Sequence, residues 1–201
     1  GIDTAVATVN GTAAIHTALN ILGISEGDKV LVPTLTFIAS VHLVKYTGGE
    51  PVFVDSEKET YNIDPVKLEE TIVNLIDRGE KPKAVIVVHL YGQVAKIEEI
   101  VEICDKYDIY LIEDATKSLG SKYNDKMSGS FGDIGCFSFN GNKLITTGGG
   151  GMLVTDNDEW AEKARYLTTQ AKDDPVQFIH NEIGYNYRLT NIQAAMGVAQ
   201  L

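Results

Sequence analysis

Apolar residues recur along this chain in two alternating rhythms. Short runs rich in β-branched residues at 30–32, 52–55, 84–90, 109–113, 134–139 and 152–155 predict strands. Between them, longer segments at 12–22, 37–46, 65–78, 94–107, 157–167 and from 189 onward carry apolar residues at helical spacing. In the segment from Val94, the residues Ile97, Ile100, Val101 and Cys104 fall on one face, which leaves Glu98, Glu99 and Glu102 facing water. Asp64-Pro65 supplies an N-cap with proline at the first helical position, and Arg78-Gly79 supplies a terminal cation and a glycine stop. Strands alternating with helices imply an α/β fold on a largely parallel sheet. The stretch 168–187 has no clear period and reads as a long loop, a kind of segment that often carries function.

Composition narrows the picture. The 201 residues are 44% hydrophobic and 22% charged, enough apolar material for one sizeable domain. The net charge of −11, with no block of Lys or Arg, argues against a nucleic-acid partner, so any anionic ligand must be held by local groups. The longest apolar run, Ala84 to Val88, is too short to cross a bilayer, and no signal-like segment opens the chain. Cys104 and Cys136 lack metal-type spacing. A soluble, cytoplasmic protein without a membrane or metal site is the expectation. The chain starts without Met and closes on an amphipathic stretch, 191–201, that has no stop signal, so a piece of a longer protein is expected.

Three features point to a small anionic cofactor with a carbonyl. Asn10-Gly11-Thr12-Ala13-Ala14 is a turn running into a helix, where free N–H groups, the Thr12 hydroxyl and the helix dipole suit a phosphate. An ordinary helix cap explains the same residues. Tyr110-Leu111-Ile112-Glu113-Asp114 is an apolar strand ending in two acids, and ligands of open α/β sheets collect at strand carboxyl ends, although Asp114 is equally a helix cap. Lys143 follows an apolar strand and precedes Thr146-Thr147 and four glycines, a setting for a buried amine of lowered pKa suited to Schiff-base chemistry, although a solvated lysine explains the same position. Those glycines match neither the dinucleotide nor the P-loop spacing, which disfavours an NAD or ATP site.

In order, the segments NGTAA, PTLTFIAS, EDATKSLGS, CFSFNGNKLITTGGGGM and GYNYRLTNIQAA make the whole chain resemble the DegT/DnrJ/EryC1/StrS family, the PLP-dependent nucleotide-sugar aminotransferases. The resemblance implies the large domain of a fold-type-I PLP transferase, a mixed, mostly parallel sheet flanked by helices, spanning 1–201, with an N-terminal segment and a small C-terminal domain outside it. It implies pyridoxal 5'-phosphate (PLP) as cofactor, with Lys143 holding it as an internal aldimine and shuttling protons. Asp114 would face the ring nitrogen, Thr12, Ala13 and Ser138 would bind phosphate, and Phe37 would stack on the ring. Asn186 would reach the phosphate of a neighbouring subunit, so a homodimer with shared sites is implied. Tyr187 and Arg188 beside it, and His89 at a strand end, are candidates for the substrate side, Arg188 as a local cation for an anionic nucleotide sugar.

Two positions depart from the family pattern. Lys117 stands where many members have Gln against the cofactor's phenolic oxygen, and Gly149 stands where an acid is familiar. The implied reaction moves an amino group from glutamate to a nucleotide-linked keto-deoxyhexose, a 4-keto-6-deoxy sugar for surface glycans. A PLP- or PMP-dependent sugar dehydratase is an alternative that Lys143 disfavours, because histidine replaces the lysine in that branch. A cofactor-binding piece without turnover is another. His16 and His42 lie in helical segments without metal-ligand spacing and read as structural.

Overall fold

The computed structural model describes residues 2–174 and 176–200. Among the described residues, nine strands and six α-helices follow one another as β1 (Thr4–Thr8), α1 (Gly11–Ile21), β2 (Lys29–Pro33), α2 (Ala39–Tyr46), β3 (Glu50–Val54), α3 (Pro65–Asp77), β4 (Ala84–Val88), α4 (Ile97–Tyr107), β5 (Tyr110–Asp114), β6 (Lys122–Tyr123), β7 (Lys126–Met127), β8 (Ile134–Ser138), β9 (Gly151–Thr155), α5 (Asp158–Thr168) and α6 (Asn191–Val198). Seven strands form one sheet in the order β1-β9-β8-β5-β4-β2-β3. β3, β2, β4, β5 and β8 pair in parallel, whereas β9 runs antiparallel to both β8 and β1. The expected mixed, mostly parallel α/β sheet is therefore present.

The unbroken apolar run of β4 follows from burial on both sheet faces, as parallel sheets require. Val30, Val32, Ala84, Ile86 and Ile112 pack with Ile15 and Leu19 of α1, Leu43 of α2 and Ala161 and Ala164 of α5. Leu31, Val85, Val87 and Leu111 pack on the other face with Leu68 and Ile72 of α3 and Ile97 and Ile100 of α4. Each fully enclosed Ile or Leu contributes about 1.5–3 kcal/mol relative to exposure. α3 starts where expected: Asp64 Oδ1 accepts from the Val66 and Lys67 N–H groups at 2.8 and 3.4 Å, and the helix closes at Arg78 before Gly79 at φ +74°.

Differences from the sequence expectation cluster at strand ends. The run expected to continue to Leu90 leaves the sheet after Val88, where Leu90–Gly92 makes a 3-10 turn with Tyr91 at φ +51°. α2 begins at Ala39 rather than Phe37, and α4 at Ile97 rather than Val94, because the preceding residues form irregular approaches. β1 is additional to the strands the pattern predicts: in Thr-Ala-Val-Ala-Thr the β-branched residues alternate with alanines and form no apolar run, and pairing with β9 from Thr4↔Thr155 to Thr8↔Gly151 makes it a strand. The β6–β7 hairpin is too short to leave a pattern in the sequence: each strand has two residues, joined by Asn124 and Asp125 at φ +46° and +65°.

Candidate active site

Strands β2, β4, β5 and β8 all end at the same edge of the sheet, and a cavity of about 550 Å³ opens there. It brings together Gly11 and Thr12 of α1, Phe37 from the loop after β2, Asp114 of β5, Lys117, Ser138 of β8 and Lys143. This is the crevice where open α/β sheets hold ligands. The antiparallel turn-back from β8 to β9 explains how Lys143 arrives: the intervening loop must stay at the carboxyl end of β8. Phe139 N–H to Gly150 O at 2.8 Å and Thr147 N–H to Phe139 O at 2.9 Å close that loop, and Lys143 N–H donates to Asn140 O at 3.0 Å within it.

Asp114 is 4% exposed, and both of its oxygens are fixed. Ser40 Oγ donates to Oδ2 at 2.7 Å, and the Thr116 N–H donates to Oδ1 at 3.2 Å. The carboxylate is thus held in one orientation at the cavity wall. Ser40 belongs to the Pro33–Ser40 motif, yet its spacing gives no hint of Asp114, which is 74 residues away.

At the start of α1, Asn10 Oδ1 accepts from the Ala13 N–H at 2.7 Å. Ala13 is buried and its N–H is held by the Asn10 cap. Gly11 and Thr12 form the cavity wall, at the positive end of the helix dipole. A Cβ on Gly11 would lie 2.8 Å from Ser138 Cβ and 3.0 Å from Thr116 Cγ2, so glycine is what lets the turn approach β8.

Partial burial pushes the Lys143 amine below the usual lysine range, the Lys117 ammonium pushes it further, and Asp114 offsets only part of this. Lys117 is exposed, with Nζ 5.5 Å from the centre of the Tyr91 ring. Phe37 is 74% exposed on the open side of the cavity, leaving an apolar surface that a flat ring would cover.

Asn186, Tyr187 and Arg188 are not in the cavity lining. Asn186 and Arg188 are exposed, while the Tyr187 ring lies against α1, its OH paired with His16 Nδ1 at 3.1 Å and its face stacked on Tyr185 at 4.9 Å. Val9 N–H to Tyr187 O at 2.7 Å and Tyr187 N–H to Thr168 O at 3.0 Å hold this segment next to the turn that leads into α1. The expected long loop is therefore pinned at its end, although it lacks regular structure.

His89 does not reach the cavity either. It is fully buried, its Nδ1 accepts from the Ala95 N–H at 3.2 Å, and its Nε2 donates to Glu113 Oε2 at 2.9 Å. Both nitrogens are committed, which corrects its expected place among substrate contacts. Glu113 also accepts from the N–H groups of Gly129, Phe131 and Gly132 at 2.8, 2.6 and 2.7 Å. Burial pushes this carboxyl up, but His89 and the backbone donors outweigh it and hold it below the usual glutamate range. The adjacent acids of the Glu-Asp pair thus divide: alternation along β5 turns Glu113 into the core beneath the site and Asp114 toward the cavity.

At Gly149, a Cβ would lie 2.8 Å from Nε2 of Gln193, the residue whose side chain completes the capping box of α6 with Thr190. Glycine here leaves that cap undisturbed. Among the described residues, no cluster of three or more His, Cys, Asp or Glu could hold a metal, and no helix is long and apolar enough to cross a membrane.

A lysine and a fixed carboxylate facing one cavity with a helix N-terminus agree with what the sequence motifs implied, and the model of the DegT/DnrJ/EryC1/StrS aminotransferase family matches residues 1–201. The chain belongs to this family. It is 50% identical over 192 residues to a GDP-perosamine synthase of Escherichia coli O157:H7, covering 96% of this chain and 51% of that protein. A GDP-perosamine synthase of Caulobacter vibrioides is 46% identical over 201 residues, covering 100% and 53%. Among solved structures, a DegT/DnrJ/EryC1/StrS aminotransferase from Brucella abortus superposes with a TM-score of 0.94 at 37% identity, covering 100% of this chain and 54% of that one. Helicobacter pylori PseC, an aminotransferase involved in the biosynthesis of pseudoaminic acid, gives 0.89 at 30%, covering 100% and 53%. The chain spans about half the length of the curated relatives it matches.

Proposed function

We propose that this chain is the cofactor-binding large domain of a PLP-dependent aminotransferase that moves an amino group from glutamate to a nucleotide-linked keto-deoxyhexose, a 4-keto-6-deoxy sugar used in surface glycans. The observation that carries the reading is the convergence of Lys143, Asp114 and the α1 N-terminus on one cavity. These residues fit the cofactor: Gly11 leaves room at the turn that a Cβ would fill, and Asp114 is a buried carboxylate with a fixed direction. Bound PLP supplies an aldehyde and an electron-withdrawing ring.

The chain's own groups do the rest. The N–H groups of Gly11 and Thr12, with the hydroxyls of Thr12 and Ser138, hold the phosphate against a net charge of −11. Asp114 keeps a proton on the ring nitrogen, with Ser40 and Thr116 keeping the carboxylate aimed. Phe37 covers one ring face. The Lys143 amine, held below the usual lysine range, is the nucleophile and proton carrier. Asn186 and Arg188 are exposed beside the α1 N-terminus, with half-buried Tyr187 anchoring them, which favours a homodimer in which Asn186 completes a neighbour's site and Arg188 meets the anionic nucleotide sugar. Cys104 and Cys136, buried as free thiols, suit a reducing cytoplasm. The names of the GDP-perosamine synthases support a nucleotide-sugar substrate.

The test incubates the full-length protein with glutamate and a panel of UDP-, GDP- and dTDP-4-ketosugars and detects the amino sugar by mass. One aminated product with PLP fixed to Lys143 after borohydride reduction is expected. No product from any ketosugar, or reduction fixing the cofactor elsewhere, overturns the reading.

A further inference from the structure

The cofactor reading commits most polar groups of the cavity: Gly11, Thr12 and Ser138 to a phosphate, Asp114 to a ring nitrogen and Lys143 to a carbonyl. A nucleotide sugar also brings an anionic diphosphate, which in a chain of net charge −11 needs a local cation. Arg188 of the same chain lies outside the lining, which leaves Lys117 as the one further cation on the wall among the described residues. Lys117 is exposed and, among the described residues, pairs with no carboxylate. Its Nζ lies 5.5 Å from the centre of the Tyr91 ring, within the range of about 6 Å for a cation–π contact. The turn that presents Tyr91 is firmly built. Tyr91 sits at φ +51° and ψ +24°, a backbone conformation that non-glycine residues rarely take and that persists only where the surroundings enforce it. Buried Asn62 enforces it, its Oδ1 accepting from the Leu90 N–H at 3.0 Å and its Nδ2 donating to Gln93 O at 3.0 Å. Ser121 Oγ donates to Gly92 O at 2.8 Å, and a Cβ on Gly92 would lie 3.2 Å from Lys117 O, so the turn is docked on the backbone that carries Lys117. The result is a 90%-exposed ring at the cavity rim with an ammonium over it.

We propose that Lys117 and Tyr91 form the subsite for the diphosphate of the nucleotide sugar: Lys117 supplies the charge, and the Tyr91 ring holds that charge at the cavity rim. The inference deepens, and rests on, the reading of the substrate as a nucleotide-linked sugar. An ammonium suits this task because it is a compact charge whose three donors can follow either phosphate. Docking on a ring rather than on a carboxylate leaves the charge unneutralised, so no ion pair has to break before the anion binds. An uncharged glutamine at 117 would lack that charge.

The test titrates the full-length protein, loaded with PLP, with GDP, UDP and dTDP and reads binding by calorimetry. The parent is expected to bind at least one of them, and Lys117→Gln to weaken that binding by about three- to tenfold through loss of one charge contact. Lys117→Arg keeps the charge and stays closer to the parent, Tyr91→Phe keeps the ring and matches it, and Tyr91→Leu weakens binding. Because Lys117 is exposed, added salt should narrow the gap between the parent and Lys117→Gln. PLP affinity, read by fluorescence, stays unchanged in every variant. Nucleotide binding that Lys117→Gln leaves intact overturns the inference alone, and so does an equal fall in PLP affinity, which would assign Lys117 to the cofactor. A parent that binds none of the three nucleotides overturns the nucleotide-sugar reading and the inference with it.

Discussion

Replacing Glu113 by Gln isolates the polar hub beneath the site. The native carboxylate is fully buried and accepts four hydrogen bonds, from Gly129, Phe131, Gly132 and His89. Phe131 and Gly132 both donate to Oε1, so the amide oxygen of Gln can keep that pair. The amide nitrogen then faces the Gly129 N–H and His89 Nε2, which were donating to Oε2. His89 cannot escape by moving its proton to Nδ1, because Nδ1 accepts from Ala95. Two buried donors are stranded at about 1–3 kcal/mol each, partly offset by the loss of a buried charge, so Glu113→Gln should destabilise by about 2–4 kcal/mol. With a urea slope of about 2–3 kcal/mol per molar, the unfolding midpoint falls by about 1 M.

The same variant has a pH signature. The folded-state value of Glu113 lies below its unfolded one, so its contribution is complete above the ordinary glutamate range and is lost as pH falls through the folded value. The stability gap between the parent chain and Glu113→Gln should therefore shrink in acid. Urea unfolding at neutral and acidic pH reads both effects. A midpoint within about 0.2 M of the parent at neutral pH, or a gap that widens in acid, would refute the hub.

Two further outcomes follow from packing and burial. Gly11→Ala forces a Cβ to within 2.8 Å of Ser138 Cβ, and PLP affinity read by fluorescence titration should fall about tenfold or more, whereas unchanged affinity would mean the close approach does not shape the phosphate end. Burial pushes the Cys104 thiol up to about 12 and Cys136 well above its ordinary value, so iodoacetamide at neutral pH should label neither in the folded chain and both in urea; full labelling without denaturant would contradict the packing of α4 and β8.

Most of the site's chemistry was legible along the chain. Local patterns single out Lys143, Asp114 and Thr12, the family resemblance adds Ser138, and all four line the cavity. The residues that aim or exclude those groups were not legible. Ser40 reaches Asp114 across 74 positions, and His89 reaches Glu113 across 24, distances over which no local period carries information. His89 sits apart from the cavity because both of its ring nitrogens are satisfied within the core, by Ala95 and Glu113.

The sequence by itself determined the α/β class, the bounds of α3 and the chemical identities at the strand ends, because hydrophobic period, capping residues and short motifs are local properties. Only the tertiary structure decided that β1 is a strand, that Glu113 turns inward while Asp114 turns to the cavity, and that Lys117 and Lys143 share one cavity. Strand pairing, burial and the walls of a cavity depend on which distant segments become neighbours. That is set by packing both faces of one sheet at once.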